Sequence, residues 1–146
     1  MMEWSEKYST GIEDIDKQHR ALFKFFAFME KKIKEKDSTI IKDTLCFLET
    51  YIVEHFKFEE MCMLGTNCPE AENNKKEHDL FIIQLREFNN KVKTSPDPLE
   101  VMLEINHFVK NWLVNHISKT DAELKKYWKS PAQQPPPLGE EYAQRL

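Results

Sequence analysis

Glycine is nearly missing from this 146-residue chain, which has three, and of its seven prolines four fall between Pro131 and Pro137. So few turn-forming residues leave no supply of tight turns for a sheet protein, and an all-α fold is the expectation. Cysteine is also scarce: Cys46, Cys62 and Cys68 form neither a CxxC pair nor a disulfide framework, which favours a reducing compartment. Cys62 is expected to be a buried small hydrophobe, with a redox-formed Cys62–Cys68 bridge as the alternative, and Cys46 structural or on the surface. No apolar run approaches the ~20 residues that span a bilayer, and an N-terminus carrying Glu3, Trp4 and Glu6 lacks signal-peptide organisation. No basic block or aromatic-interleaved arginine cluster exists to neutralise phosphates. A cytoplasmic protein with neither membrane nor nucleic acid as partner is expected.

What the chain does have is a core and a pattern. Its residues are 40% hydrophobic, ten of them phenylalanine, enough for one domain of ordinary size, and its net charge of −4 is spread over mixed Lys/Glu faces. From Asp16, the positions His19, Leu22, Phe23, Phe26 and Ile33 recur at helical spacing. After the cap-type residues Asp37 and Ser38, a second stripe runs from Ile41 through Leu45, Leu48, Ile52, His55 and Glu59 to Cys62, closing at Gly65. Pro69 opens a third, with Asn74, His78, Phe81, Leu85 and Phe88, ended by Thr94-Ser95-Pro96-Asp97-Pro98. Met102, Ile105, Val109, Trp112 and His116 form the fourth, continuing irregularly through Asp121 to Trp128. Short links between four amphipathic helices predict an antiparallel up-down-up-down four-helix bundle over 1–129, behind an N-terminal arm. A Pro-rich tail over 130–146 reads as extended polyproline, a solvated terminus or a docking peptide.

His19, His55, His78 and His116 thus fall on the inward faces of four separate helices. Glu59 sits one turn beyond His55, imidazole above carboxylate on one face, and Asp121 follows His116. A histidine or carboxylate on an apolar stripe must be hydrogen-bonded, paired or coordinated, because burying it alone costs more than a small bundle can repeatedly tolerate. Six such groups point to a metal site. His107, nine residues before His116, falls on the opposite face and is expected in solvent. Imidazole with carboxylate suits Fe, Mn or Zn, and six donors exceed one tetrahedral zinc but suit a dinuclear centre. Paired Glu-x-x-His motifs of ferritin-like proteins are missing. Glu60 and Glu77 flank ligands yet point off the stripe, as residues of a solvated helix face would.

The segments Trp4-x3-Tyr8-x2-Gly11-Ile12-x2-Ile15-Asp16-x-Gln18-His19-x2-Leu22, His55-Phe56-x2-Glu59-Glu60, Glu77-His78-x2-Phe81 and Trp112-Leu113-Val114-Asn115-His116-Ile117-x3-Asp121 resemble the hemerythrins, especially bacterial ones, from Trp4 to about Trp128. The resemblance implies two non-haem iron ions, bridged by carboxylates and an oxo or hydroxo group, that bind dioxygen reversibly without haem. By the same resemblance His19 and His55 hold the iron with the vacant position, Glu59 and Asp121 bridge, and His78 and His116 hold the other iron. Where the family places a third imidazole on that second iron, this chain has Asn74, a neutral and weaker donor of shorter reach. Lower metal affinity there and faster oxidation are expected consequences. Trp112, Leu113, Phe23, Phe56 and Phe81 are candidates for the wall that keeps water from the reactive iron. An oxygen-storing, delivering or sensing protein rather than an enzyme is expected. The alternatives are an oxidase- or peroxidase-like enzyme and a nitric oxide or redox sensor with a more open site.

Overall fold

A computed structural model describes residues 3–130, and the Pro-rich tail with its docking role lies, from Pro131 on, outside the described residues. Four helical rods form the bundle: α1 (Glu13–Lys34); a second rod of α2 (Ile41–Phe47), a π-helical turn (Leu48–Ile52) and α3 (Val53–Gly65); α4 (Ala71–Thr94); and a fourth rod of α5 (Pro98–His116), a second π-helical turn (Ile117–Asp121) and α6 (Ala122–Tyr127). α1 packs against α3 and α5, and α4 packs against the same two, so the rods close a ring in chain order. Directions alternate, because His19 near the start of α1 meets Glu59 near the end of the second rod, while Lys91 near the end of α4 meets Glu104 near the start of α5. No described helix is long and apolar enough to cross a membrane.

Local chemistry sets the ends. Glu13, Asp14 and Asp16 crowd the first turn of α1, where the helix dipole favours negative charge, and the helix starts three residues before the apolar stripe does. α1 and α3 both close by left-handed residues. Lys36 (φ 56°) lets Asp37 N–H donate to Lys32 O at 2.9 Å, and Asn67 (φ 55°) lets Cys68 N–H donate to Met63 O at 2.9 Å. Asp37 and Ser38 do not cap α2 as expected. Asp37 accepts from Thr39 N–H instead, folding the preceding turn, and Ile40 stands at the helix start without a side-chain bond. Asp97 does cap α5, accepting from the N–H groups of Leu99 and Glu100, with Pro98 in the first turn where its missing donor costs nothing.

The N-terminal arm is pinned to α1 by Asp16, whose carboxylate accepts from Ser9 Oγ at 2.6 Å and from both Thr10 N–H and Thr10 Oγ1 at 2.8 Å. Gly11 turns the chain there at φ +79°, a conformation that side-chain-bearing residues resist. Two apolar clusters result. The larger joins all four rods through residues such as Leu22, Phe56, Phe81 and Leu113; the smaller, around Ile15, Phe58, Met63 and Leu124, closes one end. Between them lies a buried polar layer.

Candidate metal centre

That layer consists of the six sequence-marked donors. His19 and Glu59 are fully buried, and Asp121, His78, His55 and His116 are at most 4% exposed. His55 and Glu59 share a face by the one-turn spacing of α3. His116 and Asp121 are five residues apart, which on a regular α-helix would splay them by about 140°. The π-helical turn between them, with its wider hydrogen-bond span, brings both to the centre.

All four Nε2 atoms aim at the two carboxylates. Glu59 Oε1 lies 2.8 Å from His19 and 3.3 Å from His55, and Glu59 Oε2 lies 3.4 Å from His78. Asp121 Oδ2 lies 3.5 Å from His19, and Asp121 Oδ1 lies 3.2 Å from His116. Each carboxylate therefore turns one oxygen toward the His19/His55 pair and the other toward the His78/His116 pair. Two groups of donor atoms, each within 4.8 Å of one another, result: His19, His55 and Glu59; and Glu59, His78, His116 and Asp121.

The donor set fits a cation pair. Glu59 Oε2 and both oxygens of Asp121 are buried without any hydrogen-bond donor among the described residues, a costly state for ionised carboxylates unless a cation supplies the missing charge. His78 Nδ1 pairs with Glu60 Oε1 at 2.9 Å, and His116 Nδ1 pairs with Glu77 Oε2. Because an ionised carboxylate only accepts, each Nδ1 is the donor, and each Nε2 then carries a lone pair in the neutral ring. The two Nε2 atoms face one another at 3.0 Å, close enough to share one proton in the metal-free protein or, with both rings neutral, to direct two lone pairs at one positive ion.

Three orienting groups escape a reading based on apolar stripes. His55 Nδ1 donates to Gln18 Oε1 at 2.7 Å, and Glu60 and Glu77 hold the other two rings as above, with Thr120 Oγ1 also donating to Glu77 at 2.9 Å. Glu60 and Glu77 are thus not members of a solvated face as expected; they reach inward between helices, with their side chains 24% and 35% exposed. Each of the three sits beside a ligand in sequence, and adjacency was the signal available for finding them. Titration follows the geometry. Burial pushes the His55 imidazole down to about 3, Glu59 opposing in part. Burial would also lower His116, but the negative charge of Asp121 and the bond to Glu77 outweigh it and raise that ring to about 9. For Glu59, burial is overcome by the neighbouring His55, the bond to His19 and the closeness of the His78 ring, so its carboxyl stays well below the usual range.

Asn74, one turn before His78, is fully buried, and neither its amide nitrogen nor its oxygen has a partner among the described residues. Of the wall candidates, Phe56 stacks on His78 at 3.7 Å and Trp112 on His116 at 4.2 Å, while Phe81 stands behind both, 5.6 Å from Phe56 and 4.5 Å from Trp112. Leu113 is buried in the core; Phe23 packs on Tyr8 and Trp4, and Trp4 is the ring that stands over His19 at 6.2 Å. His107 is exposed, as expected. Cys62 and Cys68 are buried free thiols, not a bridge, and Cys46 is exposed.

The profile described as the Hemerythrin HHE cation binding domain matches residues 10–128. The chain is similar to a bacteriohemerythrin of Pseudomonas paraeruginosa, 29% identical over 119 residues that cover 82% of this chain and 76% of that one. A bacteriohemerythrin of Clostridium acetobutylicum is 29% identical over 127 residues (84% and 98% covered), and a myohemerythrin of Theromyzon tessulatum 31% over 124 (84% and 90%). No solved structure matches the chain at a comparable level. With a family profile spanning nearly the whole bundle and laid over the buried His/Glu/Asp layer, the chain belongs to the hemerythrin family.

Proposed function

We propose that this protein holds two non-haem iron ions and binds dioxygen reversibly, as a store, carrier or sensor without turnover. The observation that supports it best is the sharing of Glu59 and Asp121, each directing one oxygen to each pair of imidazoles. His19 and His55 would hold one ion and His78 and His116 the other. A ferrous pair in that position supplies reversible two-electron chemistry toward dioxygen.

The protein's own groups do the rest. Gln18, Glu60 and Glu77 fix three rings with Nε2 inward. Phe56 and Trp112 stack on His78 and His116, and Phe81 backs both rings. Asn74 leaves that side with two imidazoles, offering at most a neutral amide oxygen. Glu60 and Glu77 are engaged with ring N–H groups, which suits a binding role better than proton transfer in a catalytic cycle.

The test is anaerobic reduction, metal analysis and an oxygen titration followed by visible absorption, run beside Asn74→His. Two irons per chain and an absorption change that reverses on degassing are expected. An irreversible change that Asn74→His makes reversible would replace the carrier by an oxidase-like or redox-sensing centre. Colourless, iron-free protein from an iron-supplemented preparation would end both.

A further inference from the structure

The two halves of the buried polar layer offer matched donor sets. Each presents two imidazoles and one oxygen from each carboxylate: Glu59 Oε1 and Asp121 Oδ2 on the His19/His55 side, Glu59 Oε2 and Asp121 Oδ1 on the His78/His116 side. An octahedral ion takes more donors than these, and an oxygen shared between two ions would still leave each of them one position short. The His78/His116 half is therefore as open as the other.

Asn74 stands at that half. It lies one turn before His78 on α4, so the two side chains share the inward face, and it is fully buried. Neither its amide nitrogen nor its oxygen has a partner among the described residues, a costly state for a polar group that serves only the scaffold. An amide is shorter than an imidazole, so from the same helix face it ends short of the place that His78 Nε2 reaches and leaves room there for a small molecule. The same half is reached from outside: a groove of about 850 Å³ has Glu77, Trp112, His116 and Thr120 in its wall.

We propose that the ion at His78 and His116 takes a small anionic ligand of its own, and that Asn74 is the residue that selects it by donating a hydrogen bond from Nδ2. A short anion with acceptor atoms at both ends suits the gap, one end on the ion and the other at the amide. The protein then binds two such ligands per pair of ions, one in each half.

This proposal rests on the two-ion site proposed above, and its test separates the two. Oxidised, iron-loaded wild type, Asn74→Leu and Asn74→His are titrated with azide, followed by visible absorption and equilibrium dialysis. Iron content and far-UV circular dichroism are measured on each sample. The wild type should bind two azides per pair of irons. Asn74→Leu keeps the branching and removes the donor, so one azide should bind about 10–100-fold more weakly while the other is unchanged. Asn74→His fills the position with an imidazole and should bind a single azide; should Asn74→Leu fail to hold both irons, this difference in stoichiometry decides the matter. A wild type with two irons and a single azide would overturn the inference and leave the two-ion site standing. So would two azides of equal affinity in all three proteins. A wild type that takes up no iron would overturn both.

Discussion

Replacing Asn74 by leucine separates a structural residue from one held for a ligand. Asn74 is 0% exposed, and both polar atoms of its amide are unpartnered. A buried polar group without a hydrogen bond costs about 1–3 kcal/mol, and leucine has the same number of side-chain heavy atoms and the same branching without the polar ones. Metal-free Asn74→Leu should therefore be more stable than the wild type by roughly 1–3 kcal/mol. For a bundle of this size that raises Tm by about 3–10 °C. Asn74→Ala removes the same polar atoms but opens a cavity, so it should gain less or lose. The assay is urea unfolding followed by circular dichroism after exhaustive chelation, with thermal scans in parallel. A metal-free Asn74→Leu protein less stable than the wild type would refute the reasoning, because it would mean that the amide is hydrogen-bonded in solution and is part of the scaffold.

Phe56→Ala removes the ring stacked on His78 and set edge-on to Phe81, and should cost about 3–5 kcal/mol in the same urea assay; under 1 kcal/mol would show that the aromatic layer collapses without penalty. Lys36→Gly relieves a left-handed residue at the end of α1 and should stabilise by about 1 kcal/mol, an expectation that any loss of stability would contradict. Metal-free stability should peak near the ordinary histidine pKa of 6.5. His116, raised to about 9, contributes fully below 6.5 and loses its contribution as pH rises through 9. His55, lowered to about 3, contributes fully above 6.5 and loses it as pH falls toward 3. A flat alkaline limb in pH-dependent unfolding would count against the His116 assignment. Native protein should react with a thiol reagent quickly at exposed Cys46 alone, since Cys62 and Cys68 are buried and burial, aided by Glu59, pushes the Cys62 thiol up to about 12. Rapid labelling of all three before denaturant is added would sink that expectation.

Four helices and five of the six inward donors are legible in the chain because helical periodicity is a property of the backbone itself. With 3.6 residues per turn, His19 lines up with Leu22, Phe23 and Phe26, and His55 with Ile52 and Glu59, whatever surrounds them. The scarcity of glycine and the punctuation at Gly65, Pro69 and Asp97-Pro98 mark where the rods stop. Asp121 is harder to place, because the spacing from His116 fails on an α-helix and succeeds through a π-helical turn, whose cost is met by packing that no local pattern records.

The sequence by itself determined the bundle, the inward histidines and the substitution at Asn74. Only the tertiary structure decided which imidazole faces which carboxylate oxygen, and that Gln18, Glu60 and Glu77 reach across to rings on neighbouring rods. A residue's place on its own helix follows from its number along the chain. Its partner on another helix depends on the rotation and register of two rods, which are set by the packing of the whole core.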